Sequence, residues 1–491
     1  MNKNNHQDEV EKFPEELLIP FVNQEETIDT ILSAYAPQYH LVDAPTGYGK
    51  TKLLRELESR FQEKFWCAYL CADEHQTLRK LIRAMFKKFN LTEPLSDEKL
   101  LELLISALGS QLKQKRQEDD TKEGLVLLID LGNLEQEAAL TLINGLLKFF
   151  IPRLQLNLTF DEFFRAKSNT FRVVIAGRHL AGLDDVKSSS LPLRIHKLSL
   201  FSYNIVLSLV QSVLIPSGVQ EPIKSEDEIS HLAAHLTYLS GGHPSSLAAL
   251  LKEYKAKAVS PDEFLEHYRL DIQAITTQKI GQVRDDIPPE LQGVMDVLSP
   301  CRRFNPKFLR KIMNNNLLES ADEYNLVDGL TNAYLVTRKD GFFQDNITRR
   351  LLAIRLRQER ADYFIKICQA ARDIYADYLP QSTTNRPEMI ALELLYQELQ
   401  LGYYELKADT LEESDLEKRE KLAEKFFDIL DNHLHILISG RHKGDMMAKF
   451  TEALEKDIEF QFALNYFLRA EFYDEQPYHD LKKHLQGDKH G

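Results

Sequence analysis

Apolar residues along the 491-residue chain keep two rhythms. Short, nearly unbroken runs come first: Leu41-Val42, Phe65 to Leu70, Leu125 to Ile129 and Phe171 to Ala176. They are too short for helices and rich in aliphatic or aromatic residues, so they predict strands, the last two of the kind buried on both faces. Between and after them apolar positions return every three or four residues, the spacing of one helix face. Ile28, Ile31, Leu32 and Tyr35 make one such stripe; Leu53, Leu54, Leu57 and Phe61 make the next. Leu78, Leu81, Ile82 and Met85 predict a helix beginning at Asp73, and Leu100, Leu101, Leu104, Ile105 and Leu108 predict another, with Gln111 to Lys122 as a charged surface connection. From Val206 onward the helical rhythm takes over almost completely. It is broken by a hairpin from Tyr334 to Phe343, which turns at Asp340-Gly341. Strands alternating with helices predict an α/β layer with a parallel sheet, and the remainder predicts all-helical regions.

Composition narrows the classes. At 43% hydrophobic and 28% charged the chain is globular, with material for several domains. A net charge of −14 argues against coating nucleic acid or an anionic membrane as a whole-chain role. One segment departs from this: residues 301–360 hold 12 Lys and Arg against 7 Asp and Glu, whereas 401–491 hold 13 against 20. The four cysteines, Cys67, Cys71, Cys301 and Cys368, lack metal-site spacing and read as reduced core thiols. Residues 1–12 read as a disordered lead. No signal-like apolar run stands at the N-terminus and no later window holds 18 apolar residues, so a cytoplasmic protein is expected.

The chemistry concentrates at His40 to Thr51, a strand end running into Ala44-Pro45-Thr46-Gly47-Tyr48-Gly49-Lys50-Thr51. This is the spacing of a phosphate-binding loop, with Ala44 where the first glycine usually stands. Gly47 and Gly49 allow backbone N–H groups to turn around phosphate oxygens, and the following helix offers the positive end of its dipole. Lys50 would reach the β- and γ-phosphates of ATP or ADP and Thr51 would ligate Mg²⁺. Asp130 ends the Gly124 to Asp130 run, expected beside the loop strand, and would hold the water shell of the metal. Leu131 follows it instead of a second acid, and Glu135 is the nearest carboxylate that could orient a water, so any hydrolysis of ATP to ADP and phosphate is expected to be slow. Arg178, after Phe171 to Ala176, should reach the same sheet edge and pair with a γ-phosphate; His179 gets no role. In Ser240-Gly241-Gly242-His243-Pro244 the glycines end one helix and Pro244 starts another.

Taken in order, the Ala-Pro-Thr-Gly-Tyr-Gly-Lys-Thr, Leu-Leu-Ile-Asp, Ile-Ala-Gly-Arg and Gly-Gly-His-Pro segments resemble those of the STAND class of P-loop ATPases, relatives of the AAA+ group. Phe21-Val22-Asn23-Gln24-Glu25-Glu26 is similar to the Phe-Val-Gly-Arg-Glu opening of that class, with Asn23 and Gln24 in place of Gly and Arg. The resemblance covers roughly 13 to 405. It implies a P-loop ATPase core over 13–198, a helical lid over 199–284, a winged helix over 285–346 and a helical C-terminal region over 347–491. It also implies that Arg178 senses phosphate and that Pro244 packs on adenine. Phe343-Gln344-Asp345 is similar to the Met-His-Asp motif that holds ADP in part of the class, with Gln344 in place of His. Three functions stay open: an ATP-dependent switch acting through a protein partner or self-association of the helical tail, a winged-helix DNA-binding ATPase, and a nucleotide-binding scaffold that never hydrolyses.

Overall fold

The computed structural model describes residues 24–33, 39–72, 77–89, 91–92, 99–118, 124–132, 134, 136–154, 171–178, 180, 191–214, 226–257, 259–319, 321–333, 335–339, 342–344, 348–379, 386–408, 421, 423–432, 443–457, 459–461 and 463–464. At its centre lies a parallel sheet of five strands: β1 (Tyr39–Asp43), β2 (Phe65–Cys71), β3 (Gly124–Asp130), β4 (Phe171–Gly177) and β5 (Leu193–Lys197), in the order β2-β3-β4-β1-β5. This is an α/β core built on a parallel sheet. The expected contact between β3 and the loop strand is therefore corrected: β4 lies between them. β3 and β4 are equally continuous apolar runs, so nothing in their pattern says which one crosses back to sit beside β1. β5 was not foreseen, because Leu193–Lys197 is an edge strand with two polar positions facing out.

Period-2 alternation sorts the buried strands onto two helical layers. Leu125, Leu127, Ile129, Val173 and Ile175 join one core cluster with α3 (Leu78–Lys88) and α4 (Leu100–Glu118). Val126, Leu128, Val174 and Ala176 join the other with α1 (Glu25–Leu32) and α2 (Lys50–Gln62). Two expectations at this layer change. α3 begins at Leu78 under a Thr77 cap whose Oγ1 accepts the Lys80 N–H, and Asp73 lies outside the described residues. α4 runs on to Glu118, so much of the stretch read as a surface connection is helix. α5 (Gln136–Gly145) completes this layer. All four cysteines are free thiols, Cys301 and Cys368 buried and the other two half-buried.

Helices follow: α6 (Tyr203–Leu214), α7 (Glu226–Ser240), α8 (Pro244–Lys257), α9 (Pro261–His267) and α10 (Arg269–Asp285), mostly around their own core. Then come α11 (Pro289–Leu298), α12 (Pro306–Asn314), α13 (Glu323–Asn332) and an antiparallel ribbon of β6 (Thr337–Lys339) and β7 (Phe342–Gln344), the element set read as a winged helix; the turn at 340–341 lies outside the described residues. α14 (Arg349–Glu359), α15 (Ala361–Tyr378), α16 (Pro387–Ala408), α17 (423–432) and α18 (Lys443–Lys456) follow among the described residues. One continuous hydrophobic cluster runs from Ile287 to Leu464, joining the three-helix segment to the tail.

Part of the basic excess at 301–360 is paired within this body. Arg302 bonds Asp457 at 2.8 Å and Glu393 at 3.0 Å, Arg303 bonds the same two acids, and Arg349 bonds Glu459. Arg310 pairs with Glu323 and Lys311 with Asp377, Arg355 reaches Glu359, and Arg357 lies over the Tyr238 and Phe364 rings.

Candidate nucleotide site

Parallel register brings the ends of three strands to one edge. Asp43 pairs with Gly177 and Asp130 with Ala176, so the loop after β1, the Asp130 carboxylate and Arg178 share the carboxyl end of the sheet. Gly47 and Gly49 both adopt positive φ, +82° and +86°, and Gly49 hands the chain directly to α2 at Lys50. Two loop carbonyls face the turn between α7 and α8: His243 Nε2 meets Thr46 O at 3.1 Å, and the Ser245 N–H donates to Gly47 O at 3.0 Å. In a trans peptide the N–H points opposite to the C=O, so the Gly47 and Tyr48 N–H groups turn to the other side, where an anion would lie.

Lys50 lies on the loop itself. Its Nζ donates to Ala44 O at 2.8 Å and Pro45 O at 2.7 Å and is buried. Burial lowers its pKa to about 8, against the pull of Asp286 and Asp130, with Arg178 pushing the same way as burial. Thr51 Oγ1 donates to Asp130 Oδ2 at 2.6 Å, and the Tyr69 hydroxyl donates to the same oxygen at 3.0 Å. Asp130 Oδ1 accepts the Gly132 N–H at 2.9 Å, which fixes the carboxylate plane. A hydroxyl and a carboxylate held together at a helix N-terminus are hard-oxygen groups of the kind Mg²⁺ takes.

Arg178 stands at the expected edge, and its guanidinium is engaged. Nη2 donates to Leu134 O at 2.7 Å, and Nη1 is ion-paired with Asp286 Oδ1. Asp286 Oδ2 accepts the Thr46 N–H at 2.8 Å, so a single carboxylate bridges the loop and Arg178. Asp286 caps the C-terminal end of α10, far from the loop in sequence, and no periodicity or motif signals it.

The Gly-Gly-His-Pro turn both ends α7 and meets the loop. Gly241 and Gly242 have φ of +63° and +78°, and the Gly242 N–H reaches Ser240 Oγ at 3.1 Å. His243 is fully buried, its ring edge-on to Tyr48 at 5.5 Å, and burial lowers its pKa to about 4. It is neutral at pH 7. A carbonyl only accepts, so Nε2 carries the proton toward Thr46 O, and Nδ1 accepts from Ser246 Oγ at 2.8 Å. Pro244 opens α8 beside these contacts, half-buried. Sequence reading singled out Pro244 and passed over His243 and Ser245, although His243 stood in the same motif.

Leu131, where a second acid would stand, is buried. Glu135, His179, residues 21–23 and Asp345 lie outside the described residues, as does the Gln344 side chain. The groups that are described fit a nucleoside phosphate with Mg²⁺: two positive-φ glycines with turned N–H groups, a buried ammonium, a hydroxyl–carboxylate pair and a guanidinium.

No protein-family model matches the sequence, and no match is found among curated proteins. Solved structures are similar at low identity. A Walker-type ATPase of Pyrococcus abyssi is 13% identical over 68% of this chain and 95% of that one, with a TM-score of 0.44. The Aeropyrum pernix ORC2 protein, solved in ADPNP–ADP complexes, is 13% identical over 72% and 97%, with a TM-score of 0.45. A STAND protein with a tetratricopeptide-repeat sensor from Pyrococcus horikoshii is 12% identical over 96% of this chain and 78% of that one, with a TM-score of 0.29.

Proposed function

We propose that the chain is an ATP- and ADP-binding switch whose nucleotide state sets how the helical lid and the C-terminal body dock on the α/β core. The observation that carries this reading is the set of contacts on the phosphate loop: Thr46 and Gly47 are held by His243 and Ser245 of the lid and by Asp286 just beyond its end. Anything that binds the loop must therefore feel the lid. A ligand with different contacts in two arrangements is what shifts a population between them.

In this reading the Gly47 to Thr51 backbone and Lys50 hold the phosphates, Thr51 and Asp130 hold Mg²⁺, Arg178 senses the terminal phosphate and Pro244 packs on adenine. Bound Mg²⁺ would supply charge neutralisation between the phosphates. Lys50 would leave Ala44 O and Pro45 O to donate to the phosphate oxygens. Asp130, oriented by Tyr69 and Gly132, would keep Thr51 aligned. Leu131 leaves the usual place of a water-orienting acid apolar, which supports slow turnover and keeps a non-hydrolysing scaffold as the nearest alternative. Arg302, Arg303 and Arg349 are bound to acids within the C-terminal body and so are withheld from DNA, which favours a protein partner or self-association of the helical tail.

Light scattering and limited proteolysis of the full chain with ADP and with a non-hydrolysable ATP analogue test the switch. Distinct protease patterns, abolished by Lys50→Ala, are expected; identical species and patterns in both nucleotides would refute it. A turnover assay against Lys50→Ala separates slow hydrolysis from none.

A further inference from the structure

Asp286 does at the loop what a phosphate oxygen would do. Its two carboxylate oxygens take the Thr46 N–H and the Arg178 guanidinium, and its side chain is only 4% exposed. A backbone N–H of the loop, a guanidinium and the nearby Lys50 ammonium are the partners expected of a terminal phosphate. The carboxylate is an internal anion at an anion site, supplied by the residue that ends α10.

We propose that Asp286 is a specificity-determining residue of the nucleotide site: it competes with the γ-phosphate, so a nucleoside diphosphate binds with the lid contact intact and a triphosphate binds only by displacing the carboxylate. The inference rests on the nucleotide reading above and adds which phosphate the lid discriminates.

Two like charges cannot share Arg178 and Thr46 N–H, and the repulsion between a carboxylate and a phosphate at contact is what sets the preference. The next residue shows what displacement would move. Ile287 is 2% exposed and belongs to the C-terminal hydrophobic cluster, its N–H held by Arg284 O at 2.9 Å. Asp286 in the site and Ile287 in the neighbouring core are consecutive, so displacing the carboxylate strains the joint between α10 and α11. The γ-phosphate thereby acts on the C-terminal body without touching it.

The test is calorimetric binding of ADP and of a non-hydrolysable ATP analogue, both with Mg²⁺, to the wild type, Asp286→Asn and Asp286→Ala. The neutral variants should raise affinity for the analogue by about tenfold or more while shifting ADP less than about threefold, a coupling of ordinary allosteric size. Hydrogen exchange of the wild type supplies a second readout that needs no variant: the analogue should speed exchange of the Asp286 and Ile287 amides and ADP should not. Equal shifts for both nucleotides in Asp286→Asn, or weaker analogue binding, would overturn the proposal. If both variants fail to fold, equal exchange of the Asp286 and Ile287 amides under ADP and analogue overturns it instead. If the wild type binds neither nucleotide and behaves as Lys50→Ala does, the nucleotide reading itself has failed and the proposal falls with it.

Discussion

Gly47 and Gly49 have nearly the same φ, yet alanine should affect them very differently. A Cβ in the left-handed region costs about 1–2 kcal/mol at either position, partly offset by about 0.4–1 kcal/mol from a less flexible unfolded chain. At Gly49 nothing lies within 4 Å of the new methyl. At Gly47 it would fall 2.6 Å from His243 Cε1, closer still to Nε2, and 2.9 Å from Ser245 Cβ. His243 cannot give easily, being 0% exposed and tied to Thr46 O and Ser246 Oγ. Moving the ring forfeits a hydrogen bond worth about 1 kcal/mol and leaves a buried polar atom unsatisfied at about 1–3 kcal/mol more. Gly47→Ala should therefore weaken lid docking by about 2–4 kcal/mol beyond Gly49→Ala.

Amide hydrogen exchange reads this directly, because the Ser245 N–H is bonded to Gly47 O. At about 1.4 kcal/mol per factor of ten, protection at Ser245 should drop about 30- to 1000-fold in Gly47→Ala. In Gly49→Ala it should stay within about threefold of the wild type. The single tryptophan, Trp66, lies in β2 and its fluorescence should report little change in the core for either variant. Adding His243→Ala to Gly47→Ala removes the obstacle, so the pair should be less than additive. Equal loss of protection at Ser245 in both glycine variants would refute the idea that His243 and Ser245 seat the lid.

Two further expectations follow from charge. With the Lys50 pKa near 8, nucleotide affinity should be flat below about pH 7 and fall by up to about tenfold per unit above pH 8, because phosphate needs the ammonium. Folding shows the opposite sign: burying the cation costs stability below pH 8, and the cost lifts as pH rises from about 8 to the ordinary 10.5. Titration calorimetry from pH 6.5 to about 9.5, with Lys50→Ala as a control with no such decline, checks the first, and an affinity flat through pH 9 defeats it. In the C-terminal body, Glu393→Gln leaves Arg302 and Arg303 short of a counter-charge and should cost about 3–5 kcal/mol in urea unfolding. Burial alone would raise the Glu459 carboxyl, but Arg349, Arg302 and Arg350 bring it down to about 2, so its contribution is present above about pH 4.5 and is lost as pH falls through 2.

The loop, the strands that carry it and the sheet edge were legible because each rests on local pattern. A run of five aliphatics ending at Asp130 can only be a buried strand with its acid at the tip, and Arg178 follows its strand in the same way. What was not legible depends on contacts between distant segments. The order of β3 and β4 is decided by crossovers, and Asp286 meets Thr46 across 240 positions. The partners of the basic segment were illegible for a related reason: a sum of charges cannot say that Arg302 and Arg349 face acids at 393, 457 and 459.

α14 shows how these distant contacts combine. Its sequence, Arg-Arg-Leu-Leu-Ala-Ile-Arg-Leu-Arg, has no single apolar face. Leu351 and Ile354 pack in the cluster beneath the sheet, while Leu352, Ala353 and Leu356 pack in the C-terminal cluster. The same Leu351 and Ile354 lie against Gly241, where a Cβ would meet them at 2.9 and 3.0 Å. From Thr46 the contacts run through His243 to the Gly241 turn, then to Leu351, and across the helix to Leu352. A helix buried on both sides cannot rotate or slide for one neighbour without disturbing the other, since packed interiors do not deform continuously. In the proposed switch the Gly241 turn would be a second joint, with Asp286, between the loop and the tail, and moving His243 away from Thr46 should loosen α14 on both of its faces at once.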